Sequence, residues 1–181
     1  MMMLERIRRE HGYMNRLLAI LRRKHQLLEE DKGINYSLVR EIVDYLANHS
    51  EAVHHPKEDL IYHYYVEKYG NQDDVADLEQ DHKALAASTH EFLDLIEMIL
   101  QDAVVPQDIV KERLAQFVRE QKQHLELEEK QVLPLINDTF TEVDWQHVED
   151  MWDGSDDDPV FGDTIADRYK QLAERVRQER E

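Results

Sequence analysis

His54-His55-Pro56-Lys57-Glu58-Asp59 is the stretch from which the fold of this chain can be read outward. His54 and Glu58 stand four residues apart, so on a helix they differ by about 40° in direction and about 6 Å in height, and both can address one centre. Pro56, between them, kinks that helix or widens one of its turns. The same pair recurs as His124 and Glu128 in His124-Leu125-Glu126-Leu127-Glu128-Glu129. A lone histidine precedes each pair at nearly the same interval: His11 stands 43 positions before His54, and His82 stands 42 before His124. The chain therefore reads His, then His-x-x-x-Glu, twice over.

Around these motifs apolar residues recur at helical spacing and predict four long helices. The first spans about 3–30, through Leu4, Ile7, Met14, Leu17 and Leu21, and gives out at Asp31-Lys32-Gly33, with Gly33 suited to a helix C-terminus. The second runs from about 37 to 68 and ends at Gly70-Asn71, and the third spans about 72–102 up to Val104-Val105-Pro106. The fourth runs from about 107 to 133, where Pro134 disturbs or ends it. Four long helices with short connections imply an all-α fold, an up-down-up-down four-helix bundle. Beyond it come a short helix from about 141 to 151 capped by Thr141, a loop through Asp153-Gly154-Ser155-Asp156-Asp157-Asp158-Pro159, and an amphipathic helix over 163–178. The expected division is a bundle over 1–138 and a helical extension packed on it over 139–181.

Antiparallel helices place residues equidistant from their connecting turn at one height. His11 and His54 are centred beside Gly33, His54 and His82 just before Gly70, and His82 and His124 just before Val104. One histidine from each helix thus falls in a single layer near mid-helix, where inward residues are buried. With Glu58 and Glu128 this is the donor set of a dinuclear metal site: terminal imidazoles and two carboxylates able to bridge. The plainer alternative is a polar core layer in which carboxylates satisfy four buried histidines, an expensive arrangement without a metal. A single His-x-x-x-Glu is weak evidence, since ten histidines in so glutamate-rich a chain give about one such pair by chance. His25/Glu29 and His63/Glu67 also have the spacing. However, His63 faces away from His54, and His25 lies about 21 Å along the helix from His11. His25, His49, His55, His63, His90 and His147 are therefore expected at the surface or behind the ligands. Tyr62, one turn past Glu58, is placed either at the site or in the core, and the Asp156-Asp157-Asp158 run reads as a solvated loop.

Composition sets the outer limits. Gly (5) and Pro (4) are scarce, as expected for long helices, and cysteine is absent, which excludes disulfides, thiolate metal ligands and cysteine nucleophiles. Any metal is held by His, Asp or Glu, a donor set suited to iron, manganese or zinc rather than copper(I). A net charge of −18 disfavours nucleic acid and anionic lipid surfaces as partners. No stretch approaches the roughly 20 apolar residues of a membrane span. The opening Met1-Met2-Met3-Leu4-Glu5-Arg6 lacks the apolar run of a secretion signal, so a cytoplasmic location is expected.

Taken together, Arg9-Glu10-His11, the stretch 54–59, Gln80-Asp81-His82, and 124–129 running on to Val132-Leu133-Pro134 resemble the hemerythrin-like (HHE cation-binding) family over about residues 4–136. The resemblance implies a bundle around a non-haem di-iron centre, with His11, His54, His82 and His124 as terminal ligands and Glu58 and Glu128 as bridges. Oxygen-carrying members place a further histidine one turn from the third-helix ligand, whereas here those positions are Leu78 and Ala86. The four-His, two-Glu set is more similar to bacterial iron-centre repair proteins of the same superfamily, which usually carry a cysteine-bearing N-terminal segment. The tail from Thr141 resembles extensions on some bacterial hemerythrin-like proteins. The implied function is binding or sensing of O2, nitric oxide or peroxide, or iron handling. The alternatives are an oxidoreductase reducing nitric oxide or peroxide, an iron-centre repair protein, and a metal-free helical interaction module. No catalytic residue beyond the ligands is read from the sequence.

Overall fold

The computed structural model describes residues 2–70, 75–152, 158–162 and 166–178. Its first long helix is α1 (Met2–Glu29). The second is continuous through α2 (Tyr36–Asp44), a π-helical segment π1 (Tyr45–His54) and α3 (His55–Tyr69). The third is a 3-10 turn (Val75–Asp77) followed by α4 (Leu78–Leu100). The fourth is continuous through α5 (Gln107–Leu127), a second π segment π2 (Glu128–Val132) and α6 (Leu133–Thr139). α1 packs on α5, α5 on α4, α4 on α2, and π1 on α1, which closes the bundle. The chain is all-α as expected, with no strand among the described residues.

The prolines act by widening rather than breaking. In both helices with an internal proline the residue before it donates its N–H five residues back, His55 to Ser50 and Leu133 to Glu128. That wide turn relieves the clash a proline ring makes with the preceding turn and leaves its missing N–H without consequence. Pro134 therefore does not end the fourth helix, which runs on to Thr139. Gly33 is not the stop of α1 either. Asp31 takes the left-handed conformation (φ 57°), and the Lys32 N–H returns to the Leu27 carbonyl. Asp102 (φ 65°) does the same after α4, with Ala103 N–H on Met98. Aspartate is among the few non-glycine residues that visit this region.

Two apolar cores fill the bundle, one on each side of a polar layer. One gathers Leu17, Leu21, Leu38, Ile42, Phe92 and Phe117, and the other Ile7, Ile61, Tyr65, Leu78, Leu133 and Ile136. The C-terminal extension joins both. α7 (Glu142–Met151) buries Trp145 and Val148 in the second core. Thr141 caps it as expected, in a reciprocal capping box with Asp144. Buried Asp144 also accepts from the Tyr64 hydroxyl (2.7 Å) and from Lys68 and Tyr69, which fastens α7 to α3. The turn at 158–162 then packs on the first core through Val160 and Phe161, with Phe161 stacked on Tyr13 at 4.1 Å. Asp158 is not solvated as expected. It accepts from the Tyr45 hydroxyl (2.7 Å) and from the backbone N–H groups of Val160 and Phe161. Asp156 and Asp157 lie outside the described residues, as do 163–165 of the expected last helix. That helix begins with a 3-10 turn (Asp167–Tyr169) and continues as α8 (Lys170–Gln178). It seats Leu172, Ala173 and Val176 in the first core, with Glu41 accepting from the Gln171 and Leu172 N–H groups.

Candidate metal centre

All six residues singled out by spacing meet in the layer between the cores. α1 supplies His11, the end of π1 His54, α3 Glu58, α4 His82, α5 His124 and the start of π2 Glu128. Glu58 and Glu128 are fully buried, and His11, His54 and His82 nearly so. The imidazoles form two pairs, His11 with His54 (ring centroids 4.8 Å apart) and His82 with His124 (4.9 Å). Glu58 lies between the pairs, its Oε2 2.9 Å from His11 Nε2 and its Oε1 3.1 Å from His54 Nε2 and 3.5 Å from His82 Nε2. Glu128 mirrors it, 2.6 Å from His124 Nε2, 3.7 Å from His82 Nε2 and 3.9 Å from His11 Nε2. Each carboxylate thus faces both histidine pairs.

A further set of acids fixes how the rings point. His11 Nδ1 lies 2.6 Å from Glu129, His54 Nδ1 3.2 Å from Glu10, and His82 Nδ1 2.7 Å from Asp59. An ionised carboxylate only accepts, so in each case Nδ1 carries the proton and Nε2 is turned to the centre. Each of these acids neighbours a centre residue on its own helix but supports the histidine of an adjacent helix. The sequence reading missed all three. The available signal was the doublets Glu10-His11, Glu58-Asp59 and Glu128-Glu129. Buried Lys57, under the Trp152 ring of the extension, anchors Glu10 in turn.

The inward atoms are poorly satisfied by protein alone. His54 Nε2, His82 Nε2, His124 Nε2, Glu58 Oε1 and Glu128 Oε1 are buried and have no hydrogen-bond partner among the described residues. Several approach one another closely, as His124 Nε2 and Glu128 Oε1 do, without the alignment of a hydrogen bond. Buried polar atoms are rarely left this way, and five converging on one place is the signature of a cation site. Among the described residues, His11, His54 and Glu58 form one group of potential ligand atoms and Glu58, His82 and Glu128 another, each within 4.8 Å of one another. The donors are hard oxygens and imidazoles, which fit iron, manganese or zinc.

Electrostatics match that arrangement. Burial opposes charge on His11, but hydrogen bonds to Glu129 and Glu58 outweigh it and push its pKa up to about 10. His82 is likewise pushed up to about 10, against burial, by Asp59 and Glu128. His54 is raised, against burial, by the Glu58 charge and the Glu10 hydrogen bond. Glu128 is held well below the carboxylate range, despite burial, by His124 and His82. Without metal, protons on the imidazoles thus balance the carboxylates.

Two further residues border the centre. The Tyr62 hydroxyl donates to Glu128 Oε2, and burial and that carboxylate raise its pKa well above the usual range. His55, expected at the surface or behind the ligands, lies against the centre, stacked on His82 at 4.2 Å with the rings 7° from parallel. Burial and the His82 and His54 charges push its pKa well below the ordinary value. The decoys fall outside: His63 and Glu67 are both exposed, His25 pairs loosely with Glu29 at 3.6 Å, and exposed His90 meets Glu51. His49 lies 3.5 Å from Asp158, and His147 rests on Tyr64. A groove of about 400 Å³ between α4 and α5, lined by Asp81, Ser88, Glu120 and Leu127, leads to His124. No helix among the described residues is long and apolar enough to cross a membrane.

The family model of the Hemerythrin HHE cation binding domain matches residues 2–136. That span ends within α6 and takes in all six residues of the layer. No curated protein and no solved structure matches the chain.

Proposed function

Because the chain belongs to the hemerythrin HHE cation-binding domain family, we propose that it holds two iron ions and uses them to bind or sense a small ligand: O2, nitric oxide or peroxide. His11 and His54 would serve one ion, His82 and His124 the other, and Glu58 and Glu128 would bridge them. The observation that carries this reading is the common orientation of the rings. Three carboxylates hold three Nδ1 atoms, and the buried Nε2 atoms of His54, His82 and His124 are without hydrogen-bond partners. Carboxylate–histidine pairs of this kind orient metal ligands and raise their basicity.

An iron pair supplies open coordination positions and two electrons of redox range. The protein's own residues supply the rest. Glu129, Glu10 and Asp59 keep the Nδ1 protons and fix the tautomers. Tyr62 holds Glu128 by a hydrogen bond and places an O–H donor beside the centre. The two apolar cores keep bulk water from the layer, and its burial admits only a small molecule. All six residues sit on helical segments, which favours a rigid centre. Turnover with a physiological reductant would distinguish a nitric oxide or peroxide reductase from a binding protein.

The test is metal per chain after anaerobic Fe(II) loading and removal of loose ions, followed by spectra under air, nitric oxide and peroxide. About two irons per chain is expected. His54→Ala and Glu128→Ala should each lower iron content and melting temperature, whereas His63→Ala, on the exposed face, should change neither. An iron-free wild type, or equal loss in all three variants, sinks the reading.

A further inference from the structure

The seam between α1 and α5 changes character along its length. At one end Arg8 faces Glu129 at 3.8 Å, and at the other Lys111 faces Asp31 at 3.9 Å. Between those ion pairs cation meets cation. Arg22 and His25 of α1 and Arg119 and Lys122 of α5 line one groove of about 490 Å³. Each pair stands three residues apart and so shares a helix face. Among the described residues no hydrogen bond or ion pair engages the side chain of Arg22, Arg119 or Lys122. The sequence shows the same reversal of sign. The chain has 40 acidic residues, yet none falls between Glu10 and Glu29, a stretch that holds Arg16, Arg22, Arg23 and Lys24. Glu120, next to Arg119, turns away and accepts from Ser88 of α4 at 2.8 Å. Glu126 is the one acid among the described residues that line the groove. Like charges set face to face cost stability, and an acid at either arginine would pair this stretch as the two ends are paired.

We propose that this groove binds a small phosphorylated ligand with two or more negative charges, of the size of a nucleoside diphosphate. The proposal does not depend on a metal at the centre. Guanidinium forks hold phosphate oxygens in pairs, and Lys122 adds a compact charge beside them. Ala115 and buried Val118 supply an apolar floor on which a flat ring can lie. The volume falls within the roughly 300–1,000 Å³ of small-molecule pockets, of which a lone phosphate would fill only a part. A polyanion would run past the groove onto the surface of a chain with net charge −18 and be repelled, which favours a short ligand. Gln123 lines both this groove and the one beside His124, so the ligand would rest against the turn of α5 that carries that histidine.

The test titrates the full chain with ADP by calorimetry, without added divalent cations, with pyrophosphate and adenosine as comparison probes. The expected result is about one ADP per chain with a Kd below about 1 mM, weakening as salt rises, and no binding of adenosine. Arg119→Glu and Arg22→Glu, both at exposed positions, should each weaken ADP by about tenfold or more. Arg40→Glu makes the same charge change on the exposed face of α2 and should alter binding by less than about twofold. Pyrophosphate binding as tightly as ADP places recognition in the phosphates, and weaker pyrophosphate adds the nucleoside on the apolar floor; both support the site. No ADP binding, binding that Arg119→Glu leaves intact, or an equal loss in Arg40→Glu overturns it. So does a single-stranded RNA oligomer that binds more tightly than ADP and displaces it, which would make the groove a surface for polyanions.

Discussion

Loading this centre at neutral pH should expel protons. His11 and His82 are both pushed up to about 10 in the metal-free protein, so at pH 7 both rings are imidazolium. Coordination through Nε2 would remove that proton, while the Nδ1 proton stays on the ring and is donated to Glu129 or Asp59. Three pH units below the pKa, each deprotonation costs about 4 kcal/mol, so the pair opposes metal by about 8 kcal/mol at pH 7. Each histidine contributes a factor of about ten per pH unit, so apparent affinity should climb about 100-fold per unit between pH 7 and 9. The sign reverses for the metal-free protein. Its raised imidazole pKa values contribute stability that is complete below about 6.5 and is lost as pH rises through about 10. The metal-free form should therefore weaken above pH 9, where the loaded form is strongest. Calorimetric titration in buffers of different ionisation enthalpy counts the protons, and chelator competition gives the affinity. About two or more protons should leave as the centre fills. Release below half a proton, or affinity flat between pH 7 and 9, would refute this account of the charge balance.

Three further outcomes follow from single contacts. Asp59→Asn should lower metal affinity about 10–100-fold, by chelator competition, while the circular dichroism of the metal-free protein stays unchanged, because Asp59 orients His82 without belonging to either core. Asp144→Ala removes the α7 capping box and the acceptor for Tyr64 and should cost about 2 kcal/mol in urea unfolding with iron content unaltered. Asp102→Gly, at a left-handed helix end, should stabilise the fold by up to about 1 kcal/mol, read as a rise in melting temperature.

The histidine layer could be read in advance because antiparallel helices convert distance from a turn into height. His11, His54, His82 and His124 needed only that rule. The supporting acids escaped it because each serves the next helix. Glu10, beside His11 in sequence, reaches His54, and no single-helix pattern records such an exchange. The sequence sets His55 at the surface or behind the ligands because about 100° per residue holds for an α-helix, a rule that fails where π1 widens the turn. Pro56 was the visible sign of that widening, but not of where the following ring would point. Gly33 drew the expected stop of α1, while Asp31, closer to the last apolar residue Leu28, does the capping. The tail's role depends on pairings such as Tyr13 with Phe161 and Tyr45 with Asp158. These cross more than a hundred residues and leave no periodic trace.

The run from α7 to α8 has a consequence for how the molecule comes apart. A bundle divided at mid-height by ionised side chains contains two greasy compartments, each able to loosen with its own free energy. The chain beyond the family domain places Trp145 in one compartment and Phe161 and Leu172 in the other. It acts as a suture, so that neither half opens to solvent without loosening the other. Amide exchange in the two halves would then be coupled into a single cooperative unit.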